Sequence, residues 1–284
     1  MAERERLSGV GETALGMARV RARESRRPDR LFDDPYAEAF LAASPDTLPE
    51  EPAGGSPLGA VGALFQFNGA LRTRFFDDYL LAAAGAGCRQ VVLLAAGLDT
   101  RAFRLDWPEG VRLFELDLPE VLRFKEQVLG ERGIMPRCRR VVLPVDLREG
   151  GARGWPAALT GAGLDPARPT AWLVEGLLVY LSPEEAGRLL GAVGELSAAR
   201  SQLAFEFRDD AFLERARAIP GMRRYTSLWK GGLGPDAPEW LARHGWRARL
   251  RDRAAVAASY GRAAPERSGG SFLTAVRGGA EISP

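Results

Sequence analysis

Between Gln90 and Phe207 five short apolar runs recur, with helically spaced stretches among them. They are QVVLLAA (90–96), VRLFELD (111–117), RRVVLPVDL (139–147), TAWLVEG (170–176) and SQLAFEF (201–207). Runs this short, nearly continuous in apolar residues, are the mark of strands buried on both faces. LPEVLRFKEQVLGERG follows the second run and SPEEAGRLLGAVGELSA follows the fourth, and both have helical spacing. Ser182 with Glu185 forms a capping box at the start of the latter. Strands alternating with helices predict an α/β fold: a mostly parallel sheet with helices on both faces. WRARLRD (246–252) and SFLTAVRG (271–278) supply two more strands, seven in all.

The alternation does not reach the N-terminus. Residues 1–85 read as helix and loop, a helical cap. ETALGMARVRARESRR has helical apolar spacing, and DDPYAEAFLAA places Pro35 in a first turn with Asp34 as the cap. After a Pro/Gly-rich connector, ALFQFNGALRTRFFDDYLLAAAGAG reads as one long helix ending in glycines. Residues 86–207 form the core, 208–240 an insertion after the fifth strand, and 241–284 the closing strands of one domain. Apolar residues make up 46% of the 284, enough for a core of that size.

In such sheets ligands bind beyond the carboxyl ends of the strands, where strand order reverses. The first run ends there in three small residues, Ala95, Ala96 and Gly97. Small side chains let a ligand lie against the backbone, and Gly97 can take a positive φ. Asp99 and Thr100 then open a short helix, the aspartate serving as its cap or facing a ligand's positive end. Gly97 and Asp117 are 20 residues apart, the spacing from a small-residue turn to a carboxylate that accepts from ribose hydroxyls. A nicotinamide dinucleotide needs Gly-x-Gly-x-x-Gly to cradle its pyrophosphate. That motif is absent, and Asp99 would repel phosphates. A phosphate-free nucleoside bearing positive charge fits better, and S-adenosylmethionine is one.

Other classes of function find little support. Cys88 and Cys138 lack disulfide or zinc spacing, and His244 is the single histidine. A formal net charge of +2 does not suit a binder of nucleic acid by bulk charge. The opening MAERERLSGV lacks the apolar core of a signal peptide, and no run approaches the ~20 residues of a membrane span. The expectation is a cytoplasmic protein with no membrane or nucleic-acid partner. All basic residues but Lys125 and Lys230 are arginines, which grip carboxylates with paired hydrogen bonds.

LLAAGLDTRAFRL, FELDLPEV, VVLPVDLRE and WLVEGLLVYLS occur in order, each at a strand end. With RARESRRPDRLFDDPYAEAF, LRTRFFDDYL, EWLARHGW and SFLTAVRG, they resemble the leucine carboxyl methyltransferase family, in particular its bacterial branch. The resemblance covers nearly the whole chain. It implies a Rossmann-like class I methyltransferase that uses S-adenosylmethionine, releases S-adenosylhomocysteine and needs no metal. It implies that Asp117 holds the ribose, and that Asp146 and the Leu147 main-chain N–H hold the adenine. Arg72, with Arg74 as its rival, meets the methionine carboxylate, and Arg21 or Arg23 adds a basic contact. Glu175 lies near the cofactor's ammonium and the transferable methyl, while Tyr180 faces substrate or packs. The family's turn commonly reads Gly-Ala-Gly. Here Ala95 takes the first place, cheap if its φ is negative and costly to affinity if positive.

A carboxylate acceptor is ionised at pH 7 and needs only positioning, whereas a phenol with a pKa near ~10 gains from a base. Little in the sequence offers such a base; His244 reads as structural. The reading is therefore an O-methyltransferase acting on a small-molecule or peptide carboxylate. A phenolic acceptor, or a non-catalytic binder of S-adenosylmethionine, is the alternative. Phe65, Phe67, Tyr225 and Trp229 are candidates to line an acceptor site, and Arg223 and Arg224 to pair with an acidic one.

Overall fold

The computed structural model describes residues 10–44, 57–149, 154–207, 214, 226–265 and 269–278. Seven strands form one sheet in the order β3-β2-β1-β4-β5-β7-β6. These are β1 (Gln90–Leu94), β2 (Arg112–Asp117), β3 (Arg139–Pro144), β4 (Thr170–Val174), β5 (Gln202–Phe207), β6 (Trp246–Asp252) and β7 (Ser271–Arg277). The first five run parallel, and β7 enters antiparallel between β5 and β6. All seven predicted strands are present. The order reverses beside β1, whose neighbours are β2 and β4, so the crevice of such sheets opens beyond Leu94.

Each face of the sheet buries its own apolar layer. Leu93, Leu113, Leu173 and Phe272 point to one side, against α1 (Val10–Ser25), α2 (Ala37–Ala43), α3 (Pro57–Gly85), α4 (Arg101–Arg104) and α5 (Pro119–Gly130). Val92, Phe114, Trp172 and Phe205 point to the other, against α6 (Trp155–Gly161), α7 (Pro183–Glu195) and α8 (Ala237–Arg243). The period-2 alternation of Leu93 with Val92 and Leu94 is what feeds two cores from one strand. Trp172 is wholly buried and still donates its indole N–H to Ser197 Oγ at 2.9 Å, so its one polar atom is satisfied. A further helix, α9 (Arg253–Ser259), follows β6.

Helix ends follow local chemistry, with one correction. Pro119 occupies the first turn of α5, and Ser182 and Glu185 exchange both bonds of the predicted capping box on α7. Asp34 does not cap α2. That helix starts at Ala37, beyond Pro35, and its N-cap Tyr36 makes no side-chain cap bond. Asp34 is instead buried and takes Arg21 and the Thr100 hydroxyl, each at 2.7 Å. A buried carboxylate satisfied by a guanidinium and a hydroxyl outweighs one exposed cap bond. The long predicted helix is α3, begun earlier at Pro57.

Candidate functional site

The turn after β1 is built as a bare shelf. Ala95, Ala96 and Gly97 are half-exposed while Leu94 before them is buried. Gly97 has φ +52°, as expected for a glycine chosen for freedom. Ala95 has φ +56° as well, the costly branch for an L residue. Asp117, at the end of β2, locks the shelf: one carboxylate oxygen accepts the Gly97 N–H at 2.6 Å, the other the Leu118 N–H at 2.7 Å. Burial pushes the Asp117 carboxyl up from its ordinary range, and these two N–H donors oppose the shift.

Around the shelf, cap and core meet through charge. Glu175, just past β4, lies 2.7 Å from Arg72 Nε and 2.8 Å from an Arg101 terminal nitrogen. Arg72 also gives 2.6 Å to Glu206 on β5, whose other oxygen accepts the Gly176 N–H at 2.7 Å. Arg101, on α4, is buried among Asp99, Glu175 and Asp77. Burial alone would lower its pKa, but the three carboxylates hold it well above the usual guanidinium value. Burial likewise opposes the charge on Asp99, yet Arg101 alongside keeps that carboxyl below its usual range. Asp77 on α3 receives a paired grip from Arg104 at 2.7 Å and 2.7 Å. Arg21 donates to Asp34 and to the Leu98 carbonyl, the latter at 2.6 Å, tying α1 to the shelf.

The predicted residues divide accordingly. Arg72, Asp99 and Glu175 join one ion-pair system through Arg101, Arg21 pairs separately with Asp34, and Ala95, Gly97 and Asp117 form the shelf beside them. Asp99 does not hold the N-cap position of α4, which is Thr100; it accepts the Arg101 N–H at 2.7 Å in addition to its ion pair. Arg74, the rival of Arg72, turns to Asp78 and the Leu31 carbonyl, and Arg23 is exposed. Asp146, beyond β3, is clasped by Arg148 at 2.9 Å, which holds its carboxyl below the usual range. Leu147 packs on the second core. Tyr180 closes a one-turn 3-10 helix, half-buried.

A small open pocket, with a cavity volume of about 30 Å³, adjoins Gly176 and Glu206. Val174, Leu178, Phe205, Phe207, Leu233 and Ala237 line it. Its wall is a strap at 230–232 whose N–H groups donate to the Val179 and Leu181 carbonyls. Gly232, at φ +65°, fits there because a Cβ would meet the Leu178 carbonyl oxygen at 2.8 Å. Phe65, 43% exposed, and Phe67, packed on the first core, are not in this pocket. Trp229 is half-buried at the strap's start; Tyr225, Arg223 and Arg224 lie outside the described residues. His244 caps the end of α8, its ring stacked on Trp240 with centroids 3.7 Å apart. It sits at the opposite edge of the sheet, where β6 begins beside Arg277.

Residues 14–194 match the pattern that defines the leucine carboxyl methyltransferase family. The chain belongs to that family. A Parafrankia sp. (strain EAN1pec) protein named "Putative S-adenosyl-L-methionine-dependent methyltransferase" is 52% identical over 95% of this chain and 88% of its own. A Frankia alni protein of like name is 53% identical over 95% of each chain. Among solved structures, a DUF574 family protein from Streptomyces avermitilis shares the fold. Its TM-score is 0.57 at 16% identity, over 92% of this chain and 97% of that one. The protein is thus an S-adenosylmethionine-dependent methyltransferase by family.

The residues present fit that cofactor. The shelf carries no side chain beyond methyl groups, and Asp117 faces it as an acceptor. Arg72, 2.7 Å from Glu175 and 2.6 Å from Glu206, is a guanidinium of the kind that grips a carboxylate. Three residues of the ion-pair system beside the shelf escaped sequence reasoning: Arg101, Asp77 and Glu206. Glu206 left a signal, a lone charge inside the apolar strand LAFEF. Arg101 stood inside LDTRAFRL, the stretch that carries the family resemblance.

Proposed function

We propose that this methyltransferase moves a methyl group to an oxygen of a small-molecule or peptide carboxylate, giving a methyl ester. The observation that carries the reading is that the carboxylates beside Arg72 and Arg101 are already committed. Asp99 pairs with Arg101, Glu175 with Arg72 and Arg101, and Glu206 with Arg72 and the Gly176 N–H. A carboxylate held by guanidinium is a poor proton acceptor. His244, stacked at the far edge of the sheet, is no better placed. An acceptor already ionised at neutral pH asks for none of them.

The cofactor, when bound, supplies a methyl on a cationic sulfur. The chain's own work is placement, an effect worth about 7–11 kcal/mol in favourable cases. In this reading Asp117 and the shelf hold the ribose, Asp146 and the Leu147 N–H the adenine. Arg72 takes the amino-acid carboxylate and Glu175 the ammonium. The pocket beside Gly176 marks the side from which the acceptor approaches.

The test is turnover on paired panels of carboxylic acids and phenols, with products identified by mass and by alkaline lability of an ester. Methylated phenols without esters would refute the acceptor class. Binding of S-adenosylhomocysteine without turnover on either panel would favour the non-catalytic reading, which the left-handed Ala95 supports. Arg72→Ala is expected to weaken S-adenosylmethionine at least about tenfold and 5′-methylthioadenosine, which lacks the amino-acid tail, hardly at all. Calorimetry showing equal losses would remove Arg72 from that role.

A further inference from the structure

Most arginines described above sit beside a carboxylate, whether buried like Arg101 or exposed like Arg137 against Asp106. The edge strand β6 departs from this rule. Arg247, Arg249 and Arg251 occupy alternate positions and so share one face of the strand. Their cross-strand neighbours on β7 are Val276, Thr274 and Phe272, none of them acidic. Arg247 and Arg251 are exposed and Arg249 half-buried, and no ion pair joins the three to any described residue. On the other face Leu250, opposite Leu273, is 44% exposed.

Among the described residues β6 pairs with β7 alone, so its outer side presents backbone N–H and C=O groups to an incoming strand. A charge on such an edge discourages pairing with neutral strands. Three like charges about 7 Å apart do more, because they repel one another until opposite charges arrive at the same spacing. We propose that the outer edge of β6 docks an extended acidic segment of a partner protein, which adds as an eighth strand with carboxylates opposite Arg247, Arg249 and Arg251. Its alternate residues are apolar and cover Leu250. A second copy of this chain is disfavoured, since two β6 edges would set arginine against arginine. Nucleic acid is disfavoured because the formal net charge of +2 supplies no broad basic surface around the ladder. A strand, unlike a phosphate chain, matches both the alternation of charge and the open backbone groups.

The probe is a fluorescein-labelled peptide of about nine residues alternating Glu and Val, read by anisotropy against the full-length protein at low salt. The expected result is binding at least about tenfold tighter than three controls. These are a block-ordered isomer with its Glu residues together, a Gln-for-Glu version, and a version with alternate backbone nitrogens methylated. Arg247→Glu/Arg249→Glu/Arg251→Glu is expected to abolish binding while its thermal midpoint and its affinity for S-adenosylmethionine, by calorimetry, stay unchanged. Equal binding of the block-ordered or N-methylated peptide would overturn strand addition. Tighter binding of a single-stranded RNA oligomer would overturn the choice of partner.

Discussion

Ala95 holds φ +56° in the turn after β1, and the strain of a left-handed alanine is about 1–2 kcal/mol. Ala95→Gly relieves that strain but frees the unfolded chain, so stability should change by less than about 1 kcal/mol. Affinity for S-adenosylmethionine should rise several-fold as the methyl leaves the shelf. A titration showing no gain would mean that the shelf already has its binding conformation. Asp117 makes a second prediction at this scale. Its folded pKa is raised by burial, so its ionised form carries a folding penalty that appears as pH rises through the folded value. In the proposed role Asp117 accepts from the ribose hydroxyls in that same ionised form. Acidification should therefore relieve this site's cost to stability while weakening affinity, beginning above the usual aspartate range of about 4. Asp117→Asn should flatten the affinity profile just above the usual aspartate range; an unchanged profile would assign the titration to another group.

Helices α3 and α4 are joined by one carboxylate, since Asp77 receives both Arg101 and Arg104. Asp77→Ala leaves two buried guanidiniums short of a partner, and a loss of about 3–5 kcal/mol is expected from urea unfolding. A loss below about 1 kcal/mol would show that water or a neighbouring acid replaces it. This clasp also marks where sequence reasoning stopped. The seven strands, the α7 capping box and the shelf were legible because period, turn chemistry and capping are local. WRARLRD, read as a strand, is β6 to the residue. The clasp was not legible: Arg101 and Asp77 are 24 residues apart, and Arg72 and Glu206 134 apart. Ion pairs across such distances follow no period. Asp34 failed for the same reason, as an Asp-Asp-Pro stretch looks like a helix start until Thr100 and Arg21 reach it in three dimensions.

Across the whole molecule the cap is sewn to the core at both ends of the chain. Arg21 reaches the Leu98 carbonyl, and Arg262 returns after β6 to Glu24 at 2.8 Å and Asp29 at 2.9 Å. Cap and core therefore read as one cooperative unit, and ligand binding at the shelf should stabilise α1 as well as β1. This seam has a temporal side. Ribosomes deliver Arg21 and Asp34 long before Leu98 and Thr100, and 77 residues separate Arg21 from its carbonyl. At about 5–20 residues per second the first helices wait roughly 4–15 s for their anchor, with apolar Leu15 and Phe40 uncovered meanwhile. Nascent chains arrested before the turn emerges should stay protease-sensitive across residues 10–44, and longer ones should not. Early protection would mean that these helices find another shelter while the rest is still being translated.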